Sequence, residues 1–164
     1  MKISAFALAA ALILALGVSA QSVDSVSKAS TVQYYAKSSL EGEALWTALE
    51  SRRCAISVAT VNADGTPNAA VVIPGVAKDR TALIFGLAPN QTAENFKARK
   101  LAVVTAYIYD PSAAEKLDRN KGARIVVEYI SDPELQKRLA EENKDRGASE
   151  KSTFMRIVKV IPLG

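Results

Sequence analysis

The feature that most restricts this chain is a reversal, Asn62-Ala63-Asp64-Gly65, set between two β-rich runs. Before it, Cys54 to Val61 carries Ile56, Val58 and Val61; after it, Pro67 to Ile73 runs until Pro74-Gly75. Asp-Gly accepts the positive φ that a tight reversal needs, so the two runs are predicted to form an antiparallel hairpin. Pro74-Gly75 ends the return strand, because proline offers no N–H to a ladder.

Further strands follow the same punctuation. Thr81 to Phe85 comes after the polar turn Lys78-Asp79-Arg80, Leu101 to Ile108 is a fourth strand, and Ser152 to Ile161 is the last. A fifth, Ala123 to Ile130, alternates Ile125, Val127 and Tyr129 on one face with Arg124 and Glu128 on the other. Structure is expected to begin near Glu41, in a helix over Leu40 to Glu50 that puts Leu45, Trp46 and Leu49 on one face; Trp46 reads as a core or interface anchor. A short helix follows Asn90, a residue that can cap free N–H groups. Its first turn holds Glu94, and Lys97, Arg99 and Lys100 lie at its end, where they complement the dipole. Pro133, after Ser131-Asp132, opens a second surface helix that can bury only Leu135, Leu139 and Ala140. The order is helix, three strands, short helix, two strands, helix, strand. Six short strands with a tight hairpin favour an antiparallel sheet closed into a small barrel, mainly β within the α+β class.

The first twenty residues are read as a separate unit. Met1-Lys2 starts them with a positive charge, Ala5 to Val18 is almost wholly apolar, and Val18-Ser19-Ala20 supplies small residues at a cleavage position. That is the layout of a secretory signal cut before Gln21. A retained anchor is the other reading, but the apolar run is short for a span, which takes roughly 20 residues. Residues 21–40, rich in Ser and Lys with Tyr34-Tyr35, form a linker or loosely packed lead-in, and 41–164 is one domain. The expected location is the periplasm or outside the cell, with no membrane contact after cleavage. The formal net charge of +4, one unit of it from Lys2, is too small to imply nucleic acid.

The sequence has no histidine. A Ser-His-Asp triad, a His-bearing zinc site and a His-ligated haem are therefore excluded. Cys54 is the sole cysteine, so no intrachain disulfide forms, and at the start of an apolar strand it reads as a small buried hydrophobe. No metal site is expected.

Three segments together resemble a known family. Ile56-Ser57-Val58-Ala59-Thr60-Val61-Asn62-Ala63-Asp64-Gly65-Thr66-Pro67 is similar to the first hairpin of the pyridoxamine 5′-phosphate oxidase-like FMN-binding split barrels. Asn90-Gln91-Thr92-Ala93-Glu94-Asn95-Phe96 resembles the short helix of that family, and Leu101-Ala102-Val103-Val104-Thr105 its fourth strand. The likeness runs from about Glu41 to the C-terminus and is nearest to the small single-domain FMN-binding proteins. It implies a six-stranded antiparallel split β-barrel with short peripheral helices, forming a homodimer with FMN at the subunit interface. It also implies that Asn90, Gln91 and Thr92 grip the phosphate, as helix N-terminal N–H groups can. Asn95 then fixes the helix to the barrel or reaches the ligand, and Val71, Val72 and Ile73 lie along the isoalloxazine ring.

The chain departs from the family pattern at two points. Gln91 is neutral where many members carry Lys or Arg, and Val71, Val72 and Ile73 are apolar where many carry polar or aromatic residues. Arg80, Lys97 and Arg99 are the cations that could compensate. Asn90-Gln91-Thr92 is also readable as a plain helix cap. No second phosphate site or basic substrate clamp supports the vitamin B6 oxidase reaction. Two functions stay open: an exported FMN-binding protein, as an oxidoreductase or electron carrier, or a split-barrel dimer that has lost flavin and serves as a binding or structural protein.

Overall fold

The computed structural model describes residues 38–163. The signal segment, its Val18-Ser19-Ala20 and the lead-in as far as residue 37, with Tyr34-Tyr35, lie outside the described residues.

The Asp64-Gly65 reversal forms as expected. β1 (Ala55–Val61) pairs antiparallel with β2 (Pro67–Val71), in register from Ser57 opposite Val71 to Val61 opposite Pro67. Gly65 takes φ +87°, and Asp64 accepts hydrogen bonds from the Thr66 N–H (2.9 Å) and hydroxyl (2.6 Å). These bonds hold the turn in the shape the ladder needs.

After Val71 the chain does something its sequence does not announce. The expected strand to Ile73 stops at Val71; Val72-Ile73-Pro74 crosses over, and Gly75–Val76 (β3) pairs with β4 (Ala82–Phe85). The strands therefore number seven, not six. Proline at position 74 cannot donate to the β1 ladder, which is why the pairing changes there. The remaining strands are β5 (Leu101–Tyr109), β6 (Asn120–Tyr129) and β7 (Thr153–Ile161), and the sheet order is β2-β1-β5-β6-β7-β4-β3 with every named pair antiparallel. The two edges, β2 and β3, are consecutive in the chain. Three linking residues cannot hold them more than roughly 14 Å apart, so the sheet must curl into a half-barrel.

β6 begins three residues before its expected start. Tyr109 lies opposite Asn120 and Tyr107 opposite Gly122, so the polar Asn120-Lys121-Gly122 belongs to the ladder. A Cβ on Gly122 would sit 2.5 Å from the Ala106 carbonyl oxygen and 2.8 Å from the side chain of Leu163. Only glycine fits. The end of the lead-in docks at the same place: Leu40 is buried and donates its N–H to the Gly122 carbonyl (2.8 Å), and the Ser38 hydroxyl donates to the Leu117 carbonyl (2.6 Å).

Three short helices sit on this frame. α1 (Gly42–Glu50) buries Leu45, Ala48 and Leu49 and lies against β3. It is clamped by Arg80, whose guanidinium donates to both carboxylate oxygens of Glu43 (2.6 and 2.9 Å) and lies 5.8 Å above the Trp46 ring. α2 (Gln91–Arg99) closes one side of the core with Phe96, whose ring meets Phe85 edge-on at 5.2 Å. α3 (Pro133–Glu142) buries Leu139 and Ala140 against Ile84 and Phe154, a second apolar cluster behind β4 and β7. The main core is the concave face: Ile56 and Val58 of β1, Val104 of β5, Ile125 and Val127 of β6, and Met155 of β7.

Candidate functional site

α2 is positioned by its own first residues. Asn90 is extended and its side chain accepts from the Ala93 N–H (3.0 Å), a helix cap; Glu94 N–H bonds to the Asn90 carbonyl. The N–H groups of Gln91 and Thr92, being the first two of the helix, have no partner within it. At the other end Lys100 adopts φ 65° and stops the helix.

The spacing Thr92, Asn95, Phe96 puts three residues on the buried face, two of them polar. Both find partners on the β1–β2 hairpin. Asn95 donates through Nδ2 to Thr60 Oγ1 (2.9 Å) and Asn62 Oδ1 (2.8 Å). Asn68 on β2 donates through Nδ2 to Thr60 Oγ1 (2.9 Å) and Thr92 Oγ1 (3.0 Å). Gln91 closes the set by donating Nε2 to Asn95 Oδ1 (2.9 Å). Among the described residues, no buried side-chain nitrogen or oxygen is left without a hydrogen bond. A satisfied polar cluster of this kind ties helix to hairpin and fixes one docking angle.

Asn95, through Thr60 and Asn62, ties the helix to the barrel. Asn90 and Gln91 are exposed at the helix start, and Thr92 is 3% exposed with its oxygen turned to Asn68. Thr60, Asn62 and Asn68 were missed in the sequence reading. A signal was present: with the turn placed at Asp64-Gly65, Thr60 and Asn68 fall opposite each other on the inward face, where apolar residues would be expected.

Beyond Val71 the side chains alternate. Val71 is 84% and Ile73 61% exposed, while Val72 packs against the core. Ser57, Ala59 and Val61 lie on the same outer face as Pro67, Ala69 and Val71, and Ala59 sits between Ala69 and Val103 of β5. None of β1, β2 and β5 contains a charged residue.

Two of the three candidate cations are held elsewhere. Arg80 is paired with Glu43 and lies within 3.7 Å of Glu50. Arg99 donates to the carbonyl oxygens of Asn62 (2.7 Å) and Ala63 (2.8 Å), bracing the hairpin turn. Lys97 is exposed in the last turn of α2. Turn contacts also set the state of Asp64: the hydroxyl and N–H of Thr66 stabilise its carboxylate and lower its pKa below the ordinary 3.8. Burial raises the pKa of the Cys54 thiol, so it is no ready nucleophile. Among the described residues, no group of three or more Asp, Glu or Cys is placed to hold a metal, and no helix is long and apolar enough to cross a membrane.

No protein-family model matches the chain, and no curated protein matches it in sequence. Solved structures do match in fold. An FMN-binding protein from Syntrophomonas wolfei subsp. wolfei superposes with a TM-score of 0.52 at 16% identity, over 80% of this chain and 88% of its own. HupZ from Group A Streptococcus superposes with a TM-score of 0.52 at 17% identity, over 74% of this chain and 98% of its own. The fold is an antiparallel split barrel. This chain shares that fold with both proteins, as the three segments singled out in the sequence predict.

Proposed function

We propose that this protein is an exported, homodimeric split-barrel protein that binds a flavin, FMN being the expected form, in the service of electron transfer. The observation that carries the reading is the uncharged outer surface of β2. Val71 and Ile73 offer an exposed apolar ledge for a flat ring, and the two free N–H groups at Gln91 and Thr92 offer donors for a polar tail. The FMN-binding protein that shares this fold supports it. These residues fit the group: Val71, Val72 and Ile73 would hold the ring, and Asn90, Gln91 and Thr92 would face the tail, with Asn95 keeping α2 in place. Bound flavin would supply reversible one- and two-electron chemistry, while the chain would position the ring and exclude water from one face.

Dimerisation follows from the same surface. A sheet face of small and apolar residues without charge is a surface that a second copy can cover. Export rests on the basic start, the apolar run and Val18-Ser19-Ala20. Protein recovered from the periplasm or medium should begin at or near Gln21 on N-terminal sequencing; full-length chain in the cytosol would refute export.

A second reading has its own support. The amide of Gln91 and the oxygen of Thr92 are already engaged within the polar cluster, as in a barrel that has lost its flavin and acts as a binding or structural dimer. Absorption spectroscopy separates the two. Purified protein, or protein mixed with FMN and desalted, should show a perturbed flavin band; a spectrum free of flavin favours the second reading.

A further inference from the structure

Resting on the flavin reading above, we infer that the α2 end of the site is built for the uncharged part of a flavin tail, so that riboflavin and FMN bind with similar affinity. The elements around the helix start are neutral. β1, β2 and β5, which α2 touches, hold no charged residue, and Gly86 to Ala93 holds none either; β6, which does hold charges, hydrogen-bonds at the other end of α2, where the Tyr129 N–H donates to the Lys100 carbonyl. Along the chain the first charge after the helix start is the acidic Glu94, in the first turn of α2, and the first before it is Arg80, whose guanidinium is paired with Glu43. Arg99 belongs to the last turn of the helix and its guanidinium is committed to the Asn62 and Ala63 carbonyls.

A phosphate monoester carries between about 1.5 and 2 negative charges near neutral pH. Against that, the helix offers two N–H groups and about half a positive charge from its dipole, opposed by Glu94. The Gln91 amide is neutral, so it adds no charge-assisted donor, and one of its two N–H groups is given to Asn95 Oδ1. What remains suits hydroxyl groups: N–H donors at Gln91 and Thr92, and the side-chain oxygen of Gln91 as an acceptor. A ribityl chain presents hydroxyls and no charge. Charge-assisted contacts usually favour a phosphate ligand by roughly ten- to a hundredfold, and here they are missing.

Fluorescence titration of the purified protein with riboflavin and with FMN tests this. Dissociation constants within about tenfold of each other are expected. FMN tighter by more than that would overturn the inference and leave the flavin reading standing. Binding of neither would remove the flavin reading and the inference with it. Gln91→Lys supplies the second arm. Position 91 is exposed, so the fold should tolerate the change; it should tighten FMN about tenfold relative to riboflavin, which gains no charge-assisted contact and loses the Gln91 side-chain acceptor. If Gln91→Lys alters neither affinity, the tail does not lie at the start of α2 and the inference fails.

Discussion

The side-chain amide of Asn68, on the edge strand, donates to the hydroxyl oxygen of Thr92, in the first turn of α2, across 3.0 Å. The same amide nitrogen also reaches Thr60, so helix, β1 and β2 meet at one donor. Thr92→Val keeps the shape and removes the acceptor. We expect it to cost about 1–2 kcal/mol in urea unfolding, with about 0.5–1.5 kcal/mol of coupling to Asn68→Ala in a double-mutant cycle. Additive effects would show that the contact does not bind helix to hairpin.

Gly122 has no room for a side chain. A Cβ would meet the backbone carbonyl of Ala106 at 2.5 Å, and backbone in a sheet interior yields little. Gly122→Ala should destabilise the protein by about 1–3 kcal/mol, the usual range for overpacking. Gly86→Ala is the control, since nothing lies within 4 Å of a Cβ there; it should change stability by no more than about 0.5 kcal/mol. Equal effects on the midpoint of thermal unfolding would contradict the packing at Gly122.

Acid should loosen the β1–β2 turn. Asp64 has a lowered pKa because Thr66 donates its hydroxyl and N–H to the carboxylate. A carboxyl group depressed in the folded state stabilises it above the unfolded pKa, near 3.8, and loses that effect as the pH falls through the lower folded value. Glu43, lowered by its hydrogen bonds from Arg80, acts in the same direction from 4.5 downward. Stability measured from about pH 6 to pH 2.5 should therefore fall less steeply in Asp64→Asn than in the parent. Parallel curves would show that Asp64 is not linked to folding.

The outer sheet face offers a test of assembly. Ala59 lies between Ala69 and Val103 on that face, and a carboxylate there would be buried in any dimer that covers it. By light scattering at micromolar concentration the parent should have the mass of two chains and Ala59→Glu that of one. A monomeric parent would end the dimer proposal.

Much of the frame was legible from local signals. Asp64-Gly65 specified the hairpin, and Asn90 and Asp132-Pro133 marked helix starts that the structure has at Gln91 and Pro133. Other features were hidden because their cause is distant in the chain. Asn120-Lys121-Gly122 looks like loop until Tyr107 and Tyr109 pair with it. Arg80 and Arg99 looked free to meet a phosphate until Glu43 and the Asn62 and Ala63 carbonyls claimed them.

By itself, then, the sequence determined the strand and helix pattern, the reversal at Gly65, the lack of histidine chemistry and the resemblance to a split barrel. Those depend on residues near one another in the chain, where backbone preference and periodicity act directly. Tertiary structure alone decided that Pro74 sends the chain across to the opposite sheet edge, making seven strands. It also decided that Asn95 and Thr92 point at the hairpin, and that the start of α2 stands among uncharged strands. Those outcomes depend on which side chains curling brings together, and hydrogen bonds between residues 24 and 35 positions apart leave no local mark.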